Sequence, residues 1–273
     1  MSKTVFLDFD GTLADHGRVP AAHIDAIQRA RGNGNHVLLC TGRPKSLVPR
    51  LLRDSIFDGL VCAAGGYIEV DDQVLCDIRF PADVAERTVD VLNENDVTYV
   101  LEAPEAVFGP AGMHGRIRKL LNGTVWSTNP RDESSDLLSA LHTMSDMADP
   151  SFGKAVVLES PTATVDELAA EIGDPVAPIA ISVQDITGNA GELYLRNVNK
   201  SSGIALVAEH YGISLPDIIA IGDGHNDIDM VGYAGIGVAI QGAPAELLVR
   251  AQLTIPGPEH NGLVEGFTRL GLI

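Results

Sequence analysis

The sequence predicts an α/β fold, a parallel sheet flanked by helices, with a second α+β domain inserted into it. Three observations carry that reading. At both ends of the chain, short apolar runs alternate with stretches of helical periodicity, the pattern of βα units. From residue 81 to about 192 that rhythm breaks, and strands and helices follow in a different order. Finally, 273 residues with 45% hydrophobic content and 28 glycines can bury the cores of two domains. The expected division is 1–80 with 193–273 for the parallel domain and 81–192 for the insert.

The elements follow in order. Residues 4–8 form a first strand, apolar until its last position. Residues 21–32 have helical spacing, with Ile24, Ile27 and Ala30 on one face. Residues 37–40 predict a strand, 44–52 a helix, and 60–63 a third strand. Runs 67–70 and 74–78 predict a hairpin turning at Asp71-Asp72. In the insert, a helix at 82–93 precedes strands at 97–102 and 106–108, then a basic helix at 113–121. A strand at 155–158, a helix at 165–172 and strands at 179–183 and 192–195 complete it. The βα alternation returns with a helix at 201–211, for which Ser201 is the candidate N-cap. A strand at 218–221, a helix at 228–234, a short strand at 237–239 and a helix at 243–250 follow.

Composition excludes several classes of function. Nineteen basic against 37 acidic residues give a formal charge of −18, which repels nucleic acid and anionic lipid. Any bound phosphate must therefore be held by local donors. The three cysteines, Cys40, Cys62 and Cys76, lack metal-type spacing, and the first two fall in apolar runs that suit buried thiols. No apolar run approaches the ~20 residues of a membrane span. The first strand begins too early to leave room for a signal peptide, so a cytoplasmic setting is expected.

The chemistry lies at strand ends. The first strand empties into Asp8-Phe9-Asp10-Gly11-Thr12-Leu13. Side chains alternate along an extended chain, so Asp8 and Asp10 share a side, about 7 Å apart. Two acids at the end of a buried strand are costly unless a cation or a reaction requires them. A hard, oxygen-seeking ion such as Mg²⁺ accounts for both, and with it phosphoryl chemistry; a pair of turn-capping acids is the plainer alternative. The strand at 218–221 likewise ends in Gly222-Asp223-Gly224-His225-Asn226-Asp227, and the strand at 37–40 ends in Thr41-Gly42-Arg43. In open α/β sheets ligands bind at the carboxyl ends of strands. Lys200 is the candidate cation to balance an anion among these carboxylates. The nucleotide fingerprints fail: three G-x-G starts lack the last glycine, and Lys200-Ser201 lacks the glycines of a P-loop.

Taken in order, DFDGTL, TGR, Lys200 and GDGHND resemble the four motifs of the haloacid dehalogenase-like (HAD) superfamily. The run from Gly222 to Met230 is similar to that of its Cof-like phosphatases. The resemblance implies a Rossmann-like core with an inserted α+β cap of the larger type. It implies Asp8 as nucleophile, forming an aspartyl-phosphate, and Asp10 as the acid and base toward leaving group and water. It also implies Mg²⁺ held by Asp8, the Asp10 carbonyl and Asp223, with Asp227 in support. Thr41, Lys200, Asn226 and backbone N–H groups near Gly11 and Gly42 would hold phosphoryl oxygens. Where the family often has Asn-Gly-Ala after the third strand, this chain has Ala64-Gly65-Gly66-Tyr67.

The implied activity is hydrolysis of a small phosphorylated metabolite such as a sugar phosphate. A phosphotransferase of phosphomannomutase type and a non-catalytic phosphate-binding module are the alternatives. His225 reads as a loop residue, Tyr67 and Trp126 as packing residues. Arg43 is a candidate substrate contact. In the basic helix, Arg116 and Lys119 lie three apart and share a face. They are either a solvated face balancing nearby acids or readers of a second anionic group on the substrate.

Overall fold

The computed structural model describes residues 2–121, 137–146, 151–180 and 189–273. In chain order its elements are β1 (Thr4–Leu7), α1 (Ala21–Gly32), β2 (His36–Cys40), β3 (Gly59–Cys62), β4 (Tyr67–Val70) and β5 (Gln73–Asp77). Next come α2 (Ala82–Glu94), β6 (Thr98–Glu102), β7 (Val107–Gly109), α3 (His114–Leu121), α4 (Leu137–Ala140), β8 (Leu141–Thr143) and β9 (Lys154–Glu159). They continue with α5 (Val165–Ile172), β10 (Val176–Ala180), β11 (Gly191–Leu195), α6 (Lys200–Tyr211), β12 (Ile218–Gly222) and α7 (Ile228–Tyr233). The last are β13 (Ile236–Ile240), α8 (Ala245–Arg250), β14 (Leu253–Ile255) and α9 (Gly262–Arg269). The chain divides into two compact units: Met1–Arg43, Arg50–Cys76 and Asn199–Ile273 make the first, Pro44–Pro49 and Asp77–Val198 the second.

The first unit is an eight-stranded sheet in the order β14-β13-β12-β1-β2-β3-β4-β5. The six strands from β14 to β3 run parallel, and β4 returns antiparallel beside β3. Strands buried on both faces need continuous apolar runs, and Val5, Phe6 and Leu7 of β1 are wholly enclosed. Phe6, Leu38 and Ala220 face a core shared with α6, α7 and α8. Alternation sends Val5 and Leu7 to the opposite face, where α1 and α9 pack together. Cys40 and Cys62 are buried thiols, and Tyr67 is a buried packing residue, as the composition suggests. The β4–β5 turn is made by Asp71 and Asp72, both in the left-handed region (φ 51° and 59°), the geometry of a tight hairpin.

The second unit is a six-stranded sheet ordered β10-β11-β9-β6-β7-β8. Tyr99, Leu101, Ala155, Val157 and Leu193 form one face, in a core with residues of α2 and α5. Val100, Val156 and Leu158 form the other, packed with Leu47 and with Ile117 of α3. Lys154 is buried on this second face with Glu102 at 3.1 Å and Glu192 at 2.8 Å.

Two expected elements differ from the sequence reading, and the second unit (α4 and β8) and the C-terminus add others. The helix expected at 44–52 is broken: a single turn at Lys45–Leu47 ends at an extended Val48, and helical turns resume at Arg50 and run to Ile56. Pro49 explains this, since a proline disfavours helical geometry in the residue before it. The strand expected at 179–183 begins earlier, at Val176, and its residues past Ala180 lie outside the described ones, as does Trp126. Pro178 within it fits an edge strand, which spares one N–H. Neither β14 nor α9 was foreseen. The strand has three residues, and α9 begins without a side-chain cap after Asn261 in the left-handed region.

His23 ties α9 and α1 to the loop after β1. It is fully buried, with Nδ1 2.9 Å from the Leu13 carbonyl and Nε2 3.3 Å from the Leu263 N–H. A carbonyl only accepts and an amide only donates, so Nδ1 carries the proton and the ring is neutral. Burial pushes its pKa below the ordinary 6.5. The unfolded chain then binds a proton that the folded one refuses, so stability falls as pH drops through about 6.5. His23→Gln, which cannot protonate, is expected to lose less stability than the parent in thermal melts between about pH 7.5 and 5.5. Equal losses would contradict this assignment.

Candidate active site

The three strands β12, β1 and β2 are adjacent and parallel, so their carboxyl ends open on one edge. Asp8 follows β1 directly, its N–H bonded to the Ile221 carbonyl at 3.0 Å. Thr41 follows β2 and is buried. Asp223 follows β12 and reaches the same place.

Lys200, the first residue of α6, is the centre of the site. Its Nζ donates to Asp8 Oδ1 and to Asp227 Oδ1, each at 2.5 Å, with its side chain fully enclosed. Burial disfavours its charge, but Asp227 and Asp8 outweigh that and hold it above its ordinary range. Asp227 is bound on every side, since its Oδ2 also accepts the N–H groups of Asp223 (2.9 Å) and Gly224 (2.8 Å). It thereby fixes the turn that presents Asp223. Thr12 donates to Asp223 Oδ1 at 2.8 Å, joining the β1 loop to the β12 loop.

Glycine is required where these loops meet. Gly11 has φ +82°, and a Cβ there would lie 2.2 Å from Asp223 Oδ2. A Cβ on Gly222 would lie 2.5 Å from Asp227 Cβ. On Gly42 it would stand 3.8 Å from Asn226 Nδ2, which brings those two residues into one neighbourhood.

One oxygen from each of Asp8, Asp223 and Asp227 lies within 4.8 Å of the others. Three carboxylates against one ammonium leave excess negative charge. Burial accordingly drives the Asp8 carboxyl well above its ordinary range, against the pull of Lys200. Burial likewise raises Asp223 to about 6, with Thr12 opposing. Hard oxygen donors short of positive charge fit a divalent cation such as Mg²⁺.

Some expected residues stand elsewhere. Asp10 is not one of the three clustered carboxylates, although its charge acts on Asp223: its own carboxylate is exposed and held bidentately by Arg43, Nε to Oδ2 and Nη2 to Oδ1, both 2.8 Å. The chain turns after Asp8, where Leu13 and Ala14 both bond the Phe9 carbonyl, so strand alternation does not extend to residue 10. Arg43, expected on substrate, instead spends its fork on Asp10, 4.4 Å above the Phe9 ring. Asn199, not Ser201, caps α6, its side chain accepting the Ser202 N–H at 2.8 Å. Arg116 is paired with Asp96 at 2.8 Å and lies 3.8 Å from Glu159, while Lys119 is exposed, which matches a solvated face balancing nearby acids. His225 is exposed in the turn before Asp227.

A model of the haloacid dehalogenase-like hydrolase family matches residues 5–267. The chain belongs to that family. This hydrolase is 26% identical over 268 residues to a phosphoglycolate phosphatase of Methanoculleus marisnigri, covering 97% of this chain and 95% of that one. It is 23% identical over 278 residues to the Bacillus subtilis 5-amino-6-(5-phospho-D-ribitylamino)uracil phosphatase YwtE, covering 96% and 95%. Its fold matches the HAD subclass IIB sugar phosphatase BT4131 with a TM-score of 0.75, 21% identity and full coverage of both chains.

A cation entering this cluster must displace the protons that burial favours. Mg²⁺ is therefore expected to raise the melting temperature more at about pH 8 than at about pH 5, where Asp223 is protonated. An equal rise at both pH values, or none at either, would contradict the metal assignment.

Proposed function

We propose that this chain is a Mg²⁺-dependent phosphomonoester hydrolase that acts on a small phosphorylated metabolite through a phosphoryl group carried on Asp8. The observation that carries this reading is the buried Lys200, shared between Asp8 and Asp227 with Asp223 alongside. A phosphate ester brings negative charge to a carboxylate nucleophile, and only concentrated positive charge makes that approach tolerable. The full-length relatives named for phosphoglycolate and a ribityl phosphate support a small metabolite as the substrate class. The acidic composition argues against nucleic acid, and no helix among the described residues is long and apolar enough to cross a membrane.

In this reading an Asp8 oxygen attacks phosphorus in line, and the ester oxygen departs with a proton from Asp10. Asp10 then takes a proton from the water that attacks the aspartyl-phosphate, releasing phosphate and restoring Asp8. Both Asp10 oxygens accept from Arg43 here, so the acid step requires Asp10 to leave that pair and carry a proton on the oxygen so freed. Thr41, Lys200, Asn226 and the backbone near Gly11 and Gly42 receive the phosphoryl oxygens. Asp8, the Asp10 carbonyl and Asp223 would hold Mg²⁺, with Asp227 supporting them from behind. When bound, the cation neutralises the carboxylates and the transferring group.

A panel of phosphorylated metabolites, assayed for phosphate release with Mg²⁺ and with excess EDTA, tests the activity. Turnover of at least one member that EDTA abolishes is expected. No release from any member, or equal release in EDTA, would overturn the proposal. The roles of the two acids separate by leaving group. Asp8→Asn should cost more than about a hundredfold in kcat on every substrate. Asp10→Asn should cost far less on p-nitrophenyl phosphate, whose leaving group needs no proton, than on alkyl phosphates. Equal losses on both would remove Asp10 from leaving-group protonation.

A further inference from the structure

Asp229 lies on α7 and has no part in the chemistry above. Its Oδ2 accepts the Ser201 N–H at 2.9 Å. That amide is in the first turn of α6, where backbone N–H groups have no partner within the helix. Asn199 caps the same turn from within, taking Ser202 N–H. The turn is also pressed against the β3 end of the sheet. A Cβ on Gly65 would fall 2.2 Å from the Asn199 carbonyl, and one on Gly203 2.7 Å from Val61 Cγ1. The residue mounted on this turn is Lys200.

The arrangement grips Lys200 at both ends. Asp227 takes the tip of its side chain, and Asp229, two residues on, takes the amide next to its backbone. An ammonium on a four-carbon stem ordinarily moves freely. A fixed base and a fixed tip leave it one position.

We propose that Asp229 is a positioning residue that sets where Lys200 presents its ammonium to Asp8, and thus acts on the transition state through Lys200. This rests on the phosphatase reading above. A helix cap that served stability alone would lower the melting temperature and leave turnover intact. A positioning residue lowers kcat in a protein that is still folded.

The test is steady-state hydrolysis of p-nitrophenyl phosphate with Mg²⁺, alongside thermal melts, for the parent, Asp229→Ala, Asp229→Asn and Lys200→Met. Asp229→Ala should lose about tenfold or more in kcat, with KM within about threefold, because the ground-state donors remain. Asp229→Asn keeps an acceptor oxygen in place and should recover most of that loss. If the alanine variant does not fold, Asp229→Glu, which keeps the charge but displaces the acceptor, carries the same expected loss. A folded Asp229→Ala or Asp229→Glu with kcat within about twofold of the parent would overturn the proposal. So would an asparagine variant as impaired as the alanine one. Lys200→Met separates the two readings. If it turns over normally, the phosphatase site itself is misassigned and the proposal falls with it. If it is inactive while Asp229→Ala is not, the positioning role alone falls.

Discussion

A lysine ammonium buried between two aspartates is the constraint on which the rest of this molecule is built. Taking Lys200, Asp8 and Asp227 out of water is expensive, and their mutual attraction offsets that only with close geometry and every remaining lone pair satisfied. The structure meets the condition for Asp227, whose second oxygen takes two backbone amides, while Asp8 is bonded by Lys200 at 2.5 Å through one oxygen. Removing one partner of such a group costs about 3–5 kcal/mol, because a buried charge is left uncompensated. Asp223 adds a further carboxylate to this group, and burial raises it to about 6. The cluster is therefore built around positive charge that the lysine supplies only in part.

The fold follows from bringing these groups together. Asp8 and Lys200 are 192 residues apart in the chain, yet β1 lies between β12 and β2, and α6 packs on the same sheet. The loops at the sheet edge approach so closely that Gly11 and Gly222 have no room for a Cβ. Those glycines are conditions for Asp223 and Asp227 to stand where they do. His23 closes the β1 loop from the opposite end, through Leu13.

Much of this was legible in the sequence for a physical reason. Carboxylates at the end of an apolar strand are conspicuous because nothing about packing calls for them, so Asp8, Asp223 and the strands bearing them stood out. What stayed hidden depends on partners distant in the chain. Arg43 has the look of a free phosphate reader until the fold brings Asp10 to it. Asp229 looks like one more surface acid in a chain with 37 of them, until α7 meets the start of α6. In the second unit the Lys154 cluster with Glu102 and Glu192 comes from three strands, and only their register discloses it. The break in the helix expected at 44–52 is different, since it needs no distant partner: Pro49 alone holds Val48 out of helical geometry.

The measurement that bears most directly on this account is the fate of the phosphoryl group within a single turnover. Enzyme mixed with a ³²P-labelled phosphomonoester and Mg²⁺, quenched in acid within milliseconds and digested, should carry label on the peptide containing Asp8. As an acyl phosphate, that label should survive acid and be released by hydroxylamine. Label on any other residue, or phosphate released in the first turnover with no labelled protein at any quench time, would contradict the central claim that Lys200 is buried where it is to serve Asp8 as a nucleophile.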